Sequence, residues 1–258
     1  SQDSTDYGHD LGIKNGLSHL LKQIVQAAPD IPWIRIMYAY PGYVTDELIE
    51  TMATNPQILN YLDIPLQHGH RETLKRMRRP ANIEWVYQTI DKLRTSIPDI
   101  AIRTTFIVGY PGETDEEFAA LKQMVSDLQF DRVGAFTYSN EASTPSATGS
   151  WQVPEAVKEA RRDELMTLQQ SISLARNQEQ VGRVLPALIE GFDNGISIGR
   201  SYRDAPEIDG YVVVPGELPL GEIVPIRISG AMVYDLTGTP EGIDQPGSTL
   251  IDLNAIKP

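Results

Sequence analysis

The sequence contains no cysteine. Disulfides, thiol nucleophiles and thiolate-held metals are therefore excluded for these 258 residues. The chain has four histidines, and their spacing matches no recognised metal-ligand pattern: His9, His19, His68 and His70. We expect these residues to hold no metal ion by themselves.

Long apolar runs are also missing. No stretch approaches the roughly 20 apolar residues that span a bilayer, and no basic-then-apolar leader opens the sequence, which predicts a cytoplasmic protein without a membrane partner. The formal net charge of -13 works against attraction to a phosphate backbone. It favours a basic protein partner, although acidity can also serve solubility alone.

The stretch from Ile100 to Val108 is rich in apolar and β-branched residues, and its only polar residues are Arg-Thr-Thr at 103–105. This composition is typical of a strand buried on both faces of a parallel sheet. Residues 109–112, Gly-Tyr-Pro-Gly, have turn composition, and Thr114 with the acidic residues after it predicts a helix start. The loop therefore lies at the carboxyl end of a strand, where α/β proteins usually bind ligands. An ordinary connection is the alternative.

Arg103 lies inside this apolar run. A charged side chain is rarely buried without a partner. We therefore expect Arg103 to point into a polar cavity or to pair with a carboxylate.

The order of elements predicts the fold class. Strand and helix alternate four times between residues 33 and 138, with a loop after the last strand, and such connections produce a parallel sheet. Residues 154–180 have the spacing of a long amphipathic helix. After residue 181, short β-type runs separated by Gly, Pro, Asp and Asn are typical of a small all-β barrel. We predict an α/β domain over residues 1–180 and a β-barrel over residues 181–258.

Four stretches together resemble the radical S-adenosylmethionine methylthiotransferases. They are Y-L-D-I-P-L-Q-H at 61–68, M-R-R-P at 77–80, R-T-T-F-I-V-G-Y-P-G-E-T at 103–114 and G-R-S-Y-R-D-A-P-E-I-D-G at 199–210. The last is most similar to the branch that attaches a methylthio group to the β-carbon of an aspartate in the twelfth protein of the small ribosomal subunit. The resemblance implies the second half of an open (β/α) radical SAM barrel, followed by a small all-β barrel of the TRAM type.

The resemblance also implies cofactors that this chain only partly accommodates. Members of the family use S-adenosylmethionine and two 4Fe-4S clusters, which cysteine thiolates hold. The family's C-x3-C-x2-C loop and the three cysteines of its auxiliary cluster have no counterpart here. We expect this chain to bind no cluster and to be inactive alone.

The family's cofactor lies across the carboxyl ends of the barrel strands, and no catalytic residue can be assigned in this chain. Gln2 and Asp3 match positions near the methionyl group, and Gln67 and Arg103 match positions that project toward the cofactor. The family's strand motif that packs on adenine matches Ile107 and Gly109. The family's residues that close the adenine edge match Tyr138 and Ser139.

The charge of the barrel helps to separate the family's branches. Residues 181–258 hold five Lys or Arg and eleven Asp or Glu, a net charge of -6, whereas an RNA-reading barrel should be basic or carry stacking aromatics. We therefore predict docking on a basic ribosomal protein, with a ribosome contact through the barrel. Separately from this charge argument, we expect a monomer. The residues predicted to meet the partner are Arg203, Asp204, Glu207 and Asp209. The alternatives are the family's tRNA-modifying branch, a non-enzymatic RNA-binding module and a merely solvated acidic loop.

Overall fold

The computed structural model describes residues 3–141, 144–148 and 151–242. The chain divides into two compact units, Ser1–Ile172 and Ser173–Pro258. Gln2, one of the predicted cofactor residues, lies outside the described residues.

The first unit is built on a parallel sheet with the strand order β1-β2-β3-β4. Its strands are β1 (Ile34–Ile36), β2 (Ile58–Asp63), β3 (Ala101–Val108) and β4 (Arg132–Thr137). Strands in sequence order that all run parallel need a crossover between each pair, and the helices supply it. The sheet and its helices enclose an apolar core that includes Leu62, Ile102 and Phe106. The prediction of an α/β domain is confirmed.

One face of β3 differs from the expectation of burial on both faces. Ile102, Thr104 and Phe106 are fully buried, whereas Thr105 and Ile107 are only partly buried. Successive side chains of a strand point to opposite faces. One face of β3 therefore packs on the core and the other borders a more open space.

The helices are α1 (Gly16–Ala27), α2 (Asp46–Thr54), α3 (Arg71–Arg76), α4 (Ile83–Ser96), α5 (Asp115–Leu128) and α6 (Glu155–Gln178). Two short 3-10 helices, His9–Leu11 and Pro145–Thr148, accompany them. The Thr45 and Asn82 side chains accept the N-cap hydrogen bonds of α2 and α4. Thr114 and Glu117 form a reciprocal capping box at the start of α5.

The chain after β2 delivers Gln67 to the side of β3. The Gln67 N–H donates to the Thr105 carbonyl at 2.8 Å, and the Ile107 N–H donates to the Gln67 carbonyl at 2.8 Å. Gln67 and Phe106 form an isolated parallel bridge. Backbone pairing therefore fixes Gln67 near the carboxyl end of β3, although β2 ends at Asp63.

The second unit contains a closed barrel with the strand order β5-β6-β7-β9-β8. The strands are β5 (Val184–Asp193), β6 (Ile196–Ser201), β7 (Val212–Pro215), β8 (Ile223–Ala231) and β9 (Leu236–Pro240). Alternate residues point inward, and Leu185, Ile189 and Ile226 contribute to its core. The predicted all-β barrel is confirmed. Within the described parts of the chain, no helix has the length and hydropathy needed to cross a bilayer.

Candidate functional site

A cavity of about 410 Å³ lies at the carboxyl ends of β3 and β4. Four of the predicted cofactor residues line it together: Gln67, Ile107, Tyr138 and Ser139. Thr105, which shares the partly buried face of β3 with Ile107, also lines it. The volume falls within the range of roughly 300–1,000 Å³ typical of small-molecule sites.

Aromatic rings border the same cavity. The rings of Tyr110 and Tyr138 meet edge to face, with centroids 5.1 Å apart and an interplanar angle of 73°. Phe136, which is 59% exposed, adds another apolar surface. Flat apolar surfaces with nearby amide and hydroxyl groups suit a ligand that has a planar ring and polar edges.

Arg103 pairs with a buried carboxylate. Its guanidinium lies 3.1 Å from Asp63 Oδ1, at the end of β2. Asp63 Oδ2 also accepts the Tyr38 N–H at 3.3 Å. Arg103 is not among the residues that line the cavity. The predicted carboxylate pairing is confirmed, and a contact between Arg103 and a cofactor stays a prediction.

Gly109 is a glycine for two physical reasons. Its φ of +72° lies in the left-handed region that favours glycine. A Cβ at this position would lie 2.3 Å from the Lys158 side-chain carbon Cγ. On the side where a Cβ would lie, the close approach is therefore made by the methylenes of Lys158. Packing of Gly109 against the adenine of a cofactor stays a prediction. Lys158 Nζ donates to the Tyr138 carbonyl at 3.0 Å.

Glu113 is the centre of a buried polar cluster beneath the loop. Glu113 Oε2 accepts the Gly109 N–H at 2.8 Å, and Glu113 Oε1 accepts an Arg161 N–H at 2.8 Å. His68 Nε2 lies 3.4 Å from Glu113 Oε2, and both side chains are fully buried. Because the His70 N–H donates to His68 Nδ1 at 2.9 Å, Nδ1 is an acceptor and the ring proton lies on Nε2, facing Glu113.

Sequence reasoning missed Lys158 and Arg161, although a signal was present. Residues 158, 161, 165, 168 and 172 follow the helical spacing of one face of α6, and Leu165 and Ile172 on that face are buried. Lys158 and Arg161 are cations on this apolar face, and both are less than 8% exposed. Cations at such positions need buried partners, which the Gly109–Glu113 loop and Tyr138 provide.

Glu117 and Arg76 join α5 to α3. Arg76 donates to both carboxylate oxygens of Glu117, at 3.0 and 2.5 Å. Burial acts to raise the pKa of Glu117, but the hydrogen bonds from Arg76 and the Thr114 backbone outweigh it, so the pKa lies below its ordinary value. Glu117 is thus held as a carboxylate at the start of α5.

Asp3 lies beside the chain that follows β1, and it is not among the residues that line the cavity. The Thr5 N–H donates to Asp3 Oδ1 at 2.8 Å, and the Tyr40 N–H donates to the Thr5 hydroxyl at 3.1 Å. Ser4 joins the same segment to the chain, since its N–H donates to the Tyr38 carbonyl at 3.0 Å. A role for Asp3 near a cofactor stays a prediction.

Two of the four predicted partner residues in the barrel loop are buried. Arg203 and Asp204 are 3% and 1% exposed, and Asp204 Oδ2 accepts the Ser201 hydroxyl at 2.8 Å. Asp209, which is partly exposed, accepts the Ala205 N–H at 2.9 Å. Glu207 is exposed. Because Arg203 and Asp204 are buried, the surface of this loop presents Glu207 instead, and a partner contact at these four positions stays a prediction.

No cluster of three or more His, Cys, Asp or Glu residues able to hold a metal ion occurs in residues 3–141, 144–148 and 151–242. The buried glutamates Glu113 and Glu117 are each engaged by an arginine. Their carboxylates therefore serve the scaffold of the loop.

Comparisons with known proteins bear on both units. Residues 9–125 match the Radical SAM superfamily, and residues 181–240 match the TRAM domain. The ribosomal protein uS12 methylthiotransferase RimO of Chloroflexus aurantiacus is 54% identical over 243 residues, which are 92% of this chain and 53% of that protein. The protein of the same name from Roseiflexus castenholzii is 51% identical over 248 residues, 94% of this chain and 52% of that protein. The chain thus spans about half the length of these relatives.

Similarity to solved structures is weaker. Coproporphyrinogen III oxidase (HemN) from Escherichia coli, described as a radical SAM enzyme, gives a TM-score of 0.49 with 16% sequence identity. The match covers 72% of this chain and 49% of that chain.

The parallel sheet with its strand-end cavity, the closed barrel and the two family matches define a radical SAM domain followed by a TRAM domain. The family implied by the four sequence motifs is borne out by relatives at about 50% identity over most of the chain. The chain belongs to the radical S-adenosylmethionine methylthiotransferases.

Proposed function

We propose that this chain is the part of a ribosomal-protein methylthiotransferase that holds S-adenosylmethionine and contacts the partner. The proposed reaction attaches a methylthio group to the β-carbon of an aspartate in ribosomal protein uS12. The observation that carries the proposal is 54% identity to a relative named for this activity, over 92% of the chain. The four site motifs all lie within the described residues.

The cavity fits S-adenosylmethionine in chemical character. Ile107, Tyr138 and Phe136 offer apolar surface to a planar base, while Gln67 and Ser139 offer an amide and a hydroxyl to its polar groups. When bound to an iron–sulfur cluster, this cofactor supplies a deoxyadenosyl radical that removes hydrogen from carbon. The residues of this chain would orient the cofactor and exclude water. The cluster ligands would lie outside this chain, because it has no cysteine.

The charge of the second unit favours a basic protein over RNA as the partner. With a net charge of -6 over residues 181–258, the barrel would repel a phosphate backbone. Glu207, exposed in the barrel loop, would meet the partner, with Asp209 beside it. A ribosome-modifying enzyme of this kind would work in the cytoplasm as a monomer.

The test uses the longer protein that includes the cluster-binding segment, reconstituted without oxygen. We expect mass spectrometry to find a methylthio group on the aspartate of uS12. We also expect Gln67→Ala to weaken binding of S-adenosylmethionine, while Gln123→Ala, on the exposed side of α5, leaves it unchanged. Modification of tRNA with uS12 untouched would overturn the proposal, as would tight, salt-sensitive RNA binding without any modification.

A further inference from the structure

One cation at the cavity has no carboxylate partner among the residues that the structure describes. Arg79 lines the cavity with Gln67 and Tyr110, and its side chain is exposed. Its guanidinium carbon lies 5.6 Å from the ring centre of Tyr40, within the distance of a cation–π contact. Such a contact orients a guanidinium and leaves its N–H donors available to a ligand.

Residues 71–79 include four other cations, and those within α3 are engaged differently. Each of the three cations within α3 is paired with a glutamate: Arg71 with Glu84 at 2.9 Å, Lys75 with Glu72 at 2.7 Å, and Arg76 with Glu117 at 2.5 Å. Unlike these three cations, Arg79 has a guanidinium that is available to bind a ligand. Unlike Arg78, Arg79 lines the cavity.

The backbone that carries Arg79 is fixed by a Schellman motif at the end of α3. The Arg78 N–H donates to the Lys75 carbonyl at 3.0 Å, and the Arg79 N–H donates to the Leu74 carbonyl at 2.9 Å. Arg78 has a φ of +55°, in the left-handed conformation usually taken there by glycine. A strained backbone that its surroundings hold in place is typical of functional positions.

Two further contacts hold this turn. Pro80 follows Arg79 in the sequence and restricts it to extended backbone conformations. The Tyr110 hydroxyl, from the loop after β3, donates to the Arg76 carbonyl at 3.0 Å. The base of the Arg79 side chain is therefore pre-organised at the cavity, so less entropy is lost when its guanidinium binds a ligand.

We propose that Arg79 is a specificity-determining residue that binds the side-chain carboxylate of the substrate aspartate. This inference rests on the proposed function, since it assumes that an aspartate enters the cavity. The planar guanidinium matches a carboxylate with two parallel hydrogen bonds, which an amide side chain cannot accept in the same way. A carboxylate bound there would hold the adjacent β-carbon at a fixed position relative to the cavity.

Charge supports this choice of ligand. In a chain of net charge -13 that faces a basic partner, an unpaired arginine opposes docking unless a carboxylate meets it. Glu141 also lines the cavity, but it forms no ion pair with Arg79. A substrate carboxylate would thus neutralise the positive charge that Arg79 presents to a basic protein.

The experiment measures peptide binding to the longer, reconstituted protein in the presence of S-adenosylmethionine. Two fluorescent uS12 peptides are compared by anisotropy, one with the target aspartate and one with asparagine in its place. We expect the wild type to bind the aspartate peptide about ten to one hundred times more tightly, the range for a charge-assisted pair. Arg79→Gln should bind both peptides equally, and Arg79→Lys should recover only part of the preference.

The controls separate a role in recognition from a role in folding or in cofactor binding. Arg78→Gln removes the same charge from the neighbouring exposed position and should keep the aspartate preference. All variants should melt at the wild-type temperature and should bind S-adenosylmethionine equally in equilibrium dialysis. A loss of cofactor binding in Arg79→Gln would assign Arg79 to the cofactor and overturn the inference.

The outcomes also separate this inference from the proposed function. If the wild type forms no methylthio product on uS12, the proposed function fails. If the wild type modifies uS12 but Arg79→Gln keeps the aspartate preference, the proposed function stands and the role of Arg79 is refuted.

Discussion

The loop after β3 and the loop after β6 both contain a buried carboxylate, that of Glu113 and that of Asp204, but these carboxylates are held in different ways. In the first unit, Glu113 joins His68 and Arg161, which lie 45 and 48 residues away in the sequence. In the barrel, the hydrogen bond from Ser201 to Asp204 spans three residues, and that from Ala205 to Asp209 spans four. Long-range contacts thus hold Glu113 in the first loop, while Asp204 and Asp209 in the second accept hydrogen bonds from residues close to them in the sequence.

This difference has a consequence for function. The contacts of Glu113, Arg161 and Lys158 fix the loop against α6 and beside the cavity that Tyr138 lines. In the barrel loop, Arg203 and Asp204 are buried, and Glu207 is presented to solvent. A substitution in either loop should therefore lower the stability of its own unit. The larger losses should occur for the loop of the first unit.

The largest loss is expected for Glu113→Ala. The change leaves Arg161 and His68 buried without their shared partner, and breaking a buried ion pair costs about 3–5 kcal/mol. We expect the lower end of this range, because Asp115 still contacts Arg161. Calorimetry should show the loss in the unfolding transition of the first unit alone.

The exposed Glu116 serves as the matched control for Glu113. Glu116→Ala should change the free energy of unfolding by no more than about 0.5 kcal/mol. Equal losses for the two variants would mean that the buried cluster does not hold the loop.

A smaller loss, about 2–3 kcal/mol, is expected for Gly109→Ala. The left-handed backbone disfavours a Cβ by roughly 1–2 kcal/mol, and the contact with Lys158 adds overpacking. Gly42 also has a positive φ, of +97°, but nothing lies within 4 Å of an added Cβ there. Gly42→Ala should therefore show the backbone cost alone.

A double-mutant cycle isolates the contact between Gly109 and Lys158. In a Lys158→Ala background, the cost of Gly109→Ala should fall toward that of Gly42→Ala, because the crowding carbon is gone. If the cost of Gly109→Ala is the same in both backgrounds, the packing of Lys158 on this loop is refuted.

In the barrel, Asp204→Ala should cost about 1–2 kcal/mol, because the buried Ser201 hydroxyl loses its acceptor. Glu207→Ala should change stability by no more than about 0.5 kcal/mol, since its side chain is exposed. Both effects belong to the unfolding transition of the second unit. Similar costs at the two positions would contradict the division between buried and exposed charges in this loop.

Much of the fold follows from local patterns in the sequence. The N-cap at Thr114 was predicted correctly, because a capping side chain acts within three residues of itself. The short extent of β1 follows from no such local pattern. The strand ends at Ile36, and Tyr38 takes a positive φ that no pattern of hydrophobicity indicates.

The site was less predictable because its charges are set by distant parts of the chain. Gln67, Ile107, Tyr138 and Ser139 could be brought together, since each follows or ends a strand of a parallel sheet. The burial of Arg203 and Asp204 could not be predicted, because a run of charged residues usually indicates exposure. Burial became favourable through hydrogen bonds whose geometry exists only in the folded loop.

The smallest expected effect concerns pH and compares Glu117 with its exposed neighbour Glu116. The pKa of Glu117 in the folded state lies below its ordinary value near 4.5, because the hydrogen bonds of Arg76 and the Thr114 backbone outweigh burial. Folding therefore gains stability from Glu117 above that ordinary value, and this gain is lost as the pH falls through the lowered pKa.

Unfolding measurements between about pH 5 and pH 3 check this direction. The stability of the first unit should fall less steeply with acid in Glu117→Gln than in the wild type, while Glu116→Gln should follow the wild type. Because Glu117 forms the capping box and pairs with Arg76, its titration reports whether α5 and α3 stay joined beside the cavity. Identical acid slopes for Glu117→Gln and the wild type would show that this pairing adds nothing to the stability of the first unit.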